Sequence, residues 1–171
     1  MSGQTWLFTS CVTLMAALTH SPFAWADTAK VKAKVTLFPV GSFDVTSSEL
    51  IGTGVKNGDT FQAQELKVPV KTLVTGMSLR DTHMRERLQE KDHPFIVATD
   101  VQAKEGAGSA NVNIGGVTQK LDFKFKVLDN KVAEANFKVK LSDFKIPDIN
   151  YKGVGVEDEV EVIVDVAYET K

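Results

Sequence analysis

One stretch constrains the fold more than any other: Leu121-Asp122-Phe123-Lys124-Phe125-Lys126-Val127, in which large apolar and charged residues alternate without a break. Successive strand side chains point to opposite faces, so the stretch has one oily face and one wet face. The pattern recurs in Val160–Val166, with Ile163 as the exception, and in Val31–Leu37, where Lys32 and Lys34 interleave with Ala33, Val35 and Leu37. A chain made mostly of half-buried strands must close its sheet or stack it. That choice decides whether the interior is hollow.

The spacing predicts eight strands, over residues 31–38, 43–54, 60–70, 95–104, 109–115, 119–128, 132–142 and 158–168. Turn residues separate them: Asn57-Gly58-Asp59, Gly106-Ala107-Gly108, Gly115-Gly116 and Asp129-Asn130. One interruption reads as a short amphipathic helix, Leu79–Glu90, between the third and fourth strands. Met84 and Leu88 sit four apart on its apolar face, Asp81 is placed to cap its first turn, and Pro94 blocks its continuation. A second irregular stretch, Ser142–Asp158, is long for a connection in a compact domain. It reads equally as a functional loop or as a demanding strand connection.

Residues 1–26 read as a cleavable secretory signal. Trp6–Leu18 is mostly apolar, and Ala24-Trp25-Ala26 fits the small-x-small cleavage pattern ahead of Asp27. The apolar run is too short and too polar for a membrane span. Residues 27–171 then form one domain, expected to be exported. That domain lacks the chain's single cysteine, Cys11, so it has no disulfide or thiol nucleophile. Its formal net charge of −2 argues against a nucleic-acid partner, which usually meets a basic surface. The oligomeric state stays open, a homodimer included.

Catalytic signatures are missing from the pattern. His83 and His93 are too few for a metal site without converging carboxylates such as Asp81 or Asp92. There is no glycine elbow around a serine and no phosphate-cradling glycine loop. The chain therefore reads as a non-enzyme, with no catalytic residue, metal or cofactor assigned. Binding is better supported. An eight-stranded antiparallel barrel leaves an interior that side chains fill or that holds one small ligand. Alternation points inward Val35, Leu37, Phe43 and Val45 from the first two strands, then Leu66 and Val68, then Phe95 and Val97. Val112, Ile114, Leu121, Phe123 and Phe125 follow, then Phe137, Val139, Leu141, Val160, Val162 and Val164. A filled core would show the same pattern. If the interior is hollow, so apolar a set suits a hydrocarbon chain.

Several segments taken in order resemble the YceI-like family of exported lipid-binding proteins. Gly41-Ser42-Phe43 opens the second strand. Val68-Pro69-Val70 leads into Thr75-Gly76-Met77-Ser78-Leu79-Arg80-Asp81-Thr82-His83-Met84, close to the family's Thr-Gly followed by Arg-Asp-x-His. His93-Pro94-Phe95, Asn113–Thr118, Leu141–Ile146 and Val154–Val160 match later landmarks. Two positions depart from the family's pattern: Lys145 follows Phe144 where a glycine is usual, and Gly115-Gly116 replaces a polar residue and glycine. The resemblance implies a lipocalin-like barrel, and some members hold a polyisoprenoid or another long amphipathic lipid. It also implies a periplasmic location and an association with stress. Arg80 and His83 are then the candidates to meet the lipid headgroup, since Arg suits oxygen recognition. The plainer role for Arg80 is a salt bridge pinning the helix, for instance to Glu86. The competing function is a stress-response interaction protein whose packed barrel is only a scaffold.

Overall fold

The computed structural model describes residues 30–128, 131–151 and 153–171. The expected signal at 1–26 and the Asp129-Asn130 turn lie outside them. Eleven strands and one helix follow in chain order: β1 Val31–Phe38, β2 Ser42–Ser47, β3 Gly54–Asn57, β4 Thr60–Pro69, α1 Ser78–Arg87, β5 Phe95–Lys104, β6 Ala107–Ile114, β7 Val117–Val127, β8 Val132–Lys140, β9 Asn150–Tyr151, β10 Val154–Val156 and β11 Glu159–Thr170.

The sheet closes. β3, β4, β5, β6, β7, β8 and β11 form a ring of seven strands, sealed by the parallel pairing of Gly54 with Tyr168. Closure removes the unpaired edge that an open sheet would present. The first half of β11 pairs instead with β1, Val31 opposite Val164, and β1 carries β2 on its other side. The expected count of eight is thus corrected. The single strand foreseen at 43–54 ends at Ser47 as β2, β3 begins only at Gly54, and β9 and β10 arise inside the late stretch that was expected to be irregular.

Two-residue turns set the register of several hairpins. Gly115 and Gly116 both take positive φ between β6 and β7, as the mirror-image turns of tight hairpins require. Between β5 and β6 the turn is Glu105-Gly106, with Ala107 and Gly108 already in β6. The helix lies between β4 and β5, shorter at its C-terminal end than the expected Leu79–Glu90. None of its residues is buried, but Met84 and Leu88 pack against the apolar residues inside the barrel. Asp81 does not cap it. Its carboxylate accepts hydrogen bonds from the Thr75 N–H at 2.7 Å and the Thr75 hydroxyl at 2.6 Å, tying the approach loop to the helix.

The barrel splays on one side. β7 and β8 pair only from Lys124–Val127 to Ala133–Asn136, leaving the rest of each strand unpaired with the other. A single 3-10 turn, Ser142–Phe144, packs against both strands where they part, and Gln119 Nε2 donates to the Asp143 carbonyl at 2.8 Å. Phe144, only 1% exposed, sits in the core as the wedge.

Candidate functional site

Inside the ring lies a cavity of about 1220 Å³. That exceeds the roughly 300–1,000 Å³ typical of pockets for drug-sized ligands. Its wall is apolar along its depth. Among the described residues, polar side chains enter only at one end, the mouth: Arg80, His83, Glu86 and Arg87 from α1, and Asp148 and Asn150 from the late segment. Beneath the mouth the lining comes from the inward faces of β1, β2, β4 to β8 and β11.

The opposite end is closed by aromatic rings. The centroids of Phe61 and Phe125 are 5.1 Å apart, and Tyr168 meets Phe61 edge-on at 6.2 Å. Two glycines let rings lie close to the wall. A Cβ on Gly54 would fall 2.1 Å from Phe61 Cζ, and one on Gly108 would fall 2.3 Å from Phe123 Cε2. Any larger residue at either place would force the ring or the backbone to move, which a close-packed wall resists.

Most residues expected inside do line the cavity: Val35, Leu37, Phe43, Val45, Leu66, Val68, Val112, Ile114, Leu121, Phe123, Phe125, Phe137, Val139, Leu141, Val160, Val162 and Val164. Phe95 and Val97 do not. On β5 the lining residues are Ile96, Ala98 and Val101. A bulge between Thr99 and Gln102, with Asp100 at φ 52°, inserts one residue and reverses the alternation. The phase that places Val101 inward therefore fails upstream of the bulge. Phe61 was also missed, because the inward phase of Leu66 and Val68 does not extend to it.

At the mouth, Arg80 and His83 both border the cavity. Arg80 makes no ion pair with Glu86. Its guanidinium carbon lies 4.1 Å from the centroid of the Phe43 ring, and its Nη2 lies 3.0 Å from Met77 Sδ. The helix start is thereby held against β2. Arg85 Nη2 donates to the Leu73 carbonyl at 3.2 Å from the next turn. Asp81, accepting both Thr75 hydrogen bonds with Arg85 and Arg80 nearby, is held below the usual carboxylate range. Across the opening, Ser142 donates through N–H and hydroxyl to the Asp158 carboxylate at 2.8 and 2.7 Å. Those two bonds lower the Asp158 pKa and tie together the ends of the late segment. Among the described residues no three His, Cys, Asp or Glu side chains converge as metal ligands would.

A closed barrel with an apolar hollow and a helix-flanked mouth agrees with one further observation: residues 18–168 match the YceI-like domain. The chain belongs to the YceI-like family. Solved structures of similar fold include BcnA of Burkholderia cenocepacia, with TM-score 0.58 and 13% identity over 80% of this chain and 94% of that one. A polyisoprenoid binding domain from Saccharophagus degradans aligns with TM-score 0.54 and 13% identity, covering 81% and 95%. The Campylobacter jejuni YceI protein aligns with TM-score 0.57 and 15% identity, covering 91% and 96%. No curated protein matches the chain. At these identities the likeness is one of fold.

Proposed function

We propose that this YceI-like protein is a periplasmic carrier or sequestering protein for a polyisoprenoid or similar long-chain amphipathic lipid. The tail lies in the lumen and the head meets Arg80 and His83 at the mouth. The observation that carries this reading is the distribution of polarity in the 1220 Å³ cavity, apolar along its depth and polar only at its opening. The family and the polyisoprenoid-binding neighbour of like fold support it. The exported state rests on the sequence of residues 1–26.

Magnitudes shape the mechanism. Burying one methylene contributes about 0.8 kcal/mol, so a five-carbon unit contributes roughly 3 to 4 kcal/mol gross. Eight units would reach about 30 kcal/mol, beyond the ceiling of about 20 seen for noncovalent complexes. Ordering the tail must consume much of that gain, or part of the tail must stay outside. Selectivity is then for length and cross-section, with the head chosen at the mouth.

Titration of the delipidated protein with prenols of increasing length tests the reading. Binding should strengthen with length and then level off when the lumen is full. Phe125→Ala removes a ring from the closed end. It should cost about 3–5 kcal/mol of stability and move the plateau toward longer chains. A ligand-free scaffold, the competing reading, would lose stability with no binding to change, and a cavity of this size weighs against it.

A further inference from the structure

Large apolar side chains stand exposed on three separate elements around the mouth. They are Phe38 at the end of β1 and Val40 on the β1–β2 turn, Met77 and Leu79 at the start of α1, and Val154 at the start of β10. Val40 is 83% exposed, and Phe38 and Leu79 are each 66% exposed. The backbone gathers them. Phe38 pairs with Gly155, which sets the turn beside Val154, and Arg80 over Phe43 sets the helix start against β2. Met77, Leu79 and Val154 also line the cavity, so apolar side chains link the outer rim to the lumen wall beside the polar residues of the mouth. Exposed apolar clusters of this kind mark contact with a protein or a membrane.

We propose that this collar docks the mouth on a phospholipid bilayer, inserting its apolar side chains at the level where headgroups meet acyl chains. A bilayer is the occupant whose apolar phase is continuous with the lumen, so a lipid tail passes from one to the other without crossing water. A protein seated there would cover the opening. The charged residues bordering the cavity at the mouth balance, Arg80 and Arg87 against Glu86 and Asp148, and the whole chain carries a formal net charge of −2. Charge therefore offers little attraction to anionic lipid. Docking is apolar and does not require it, unlike surface helices that lean on a basic face. The passage of lipid rests on the carrier reading above; the docking itself does not.

Flotation with phosphatidylcholine vesicles tests it, using the wild type, Val40→Glu and Val127→Glu. Val40 belongs to the collar without lining the cavity, and Val127 is an exposed apolar residue at the far end of β7. The wild type and Val127→Glu should float, and about 0.5 M salt should leave flotation unchanged. Val40→Glu should float at least about tenfold less while still taking up solanesol from detergent solution. A wild type that stays at the bottom of the gradient, or a Val40→Glu protein that floats equally well, overturns the proposal. So does a wild-type dimer that Val40→Glu turns into a monomer without any vesicle binding, which would assign the collar to a second copy. A wild type that floats but takes up no solanesol supports the docking surface and overturns the carrier reading instead.

Discussion

The ring of Phe61 covers Gly54 so closely that a Cβ there would fall 2.1 Å from Phe61 Cζ. Gly54 also pairs with Tyr168 where β3 seals the barrel, and Tyr168 meets the Phe61 ring edge-on. The absence of one side chain thus fixes both the seam of the barrel and the depth of its lumen. Gly54→Ala must push the Phe61 ring inward. It should cost about 1–3 kcal/mol and shift the preferred prenol to a shorter one. Denaturant melts and length-series titrations measure the two effects separately.

Arg80 stacks on Phe43 at the opening, and an exposed cation–π contact is worth about 0.5–1 kcal/mol. Arg80→Ala should lower stability by about that amount. If Arg80 also meets the lipid head, the same change weakens a prenyl phosphate about tenfold or more relative to the matching prenol, since charge-assisted hydrogen bonds are worth about 1.5–3 kcal/mol. Competition between the two lipids reads out that ratio. An unchanged ratio leaves Arg80 the packing role alone.

Asp158 ties Ser142 to the base of β11, and its pKa is lowered first by the Ser142 hydroxyl and then by the Ser142 N–H. A lowered carboxyl pKa means that the fold favours the ionised form. Its contribution is complete above the ordinary value of 3.8 and is lost as pH falls through the lowered one. Asp81, bonded to Thr75, follows the same sign. Hydrogen exchange across 142–158 and 75–81 should therefore accelerate in acid, below about pH 4. Asp158→Asn should speed exchange of 142–158 already at neutral pH and flatten its acid dependence.

Asp165 has the opposite sign. It faces Glu134 on the paired strand, one carboxylate oxygen is buried with no hydrogen-bond partner, and burial followed by Glu134 raises its pKa against the pull of Lys126. A raised carboxyl pKa contributes stability that is fully present below the unfolded value and lost as pH rises through the folded one. Asp165→Asn should therefore stabilise the neutral-pH protein by about 0.2–1 kcal/mol, with the gain vanishing in acid. Chemical denaturation at both pH values measures it.

Alternation made the barrel legible where it was strict. Leu121, Phe123 and Phe125 of β7 and Val160, Val162 and Val164 of β11 all face the lumen because nothing interrupts their period of two. It failed where the backbone slips. Ile96-Val97-Ala98 is apolar on both faces, so the sequence there fixes no phase, and the bulge at Asp100 then reverses it. An Asp in mid-strand, a residue tolerant of positive φ, was the available signal. The break between β2 and β3 depends on tertiary bridges, Thr46 to Val74 and Ile51 to Lys67, that no local pattern encodes. The same holds for the wedge. Phe144 is buried because β7 and β8 diverge, a relation between strands that a single stretch cannot express. The apolar character of the lumen was readable; its being hollow was not, because a filled core has the same alternation.

The most direct measurement is extraction of lipid from protein purified from its native host without delipidation, followed by mass spectrometry. The expected result is a prenyl or similarly long amphipathic lipid, near one per chain, lost on detergent washing and restored by adding solanesol. Protein that emerges bare and takes up no prenol on titration would contradict the account.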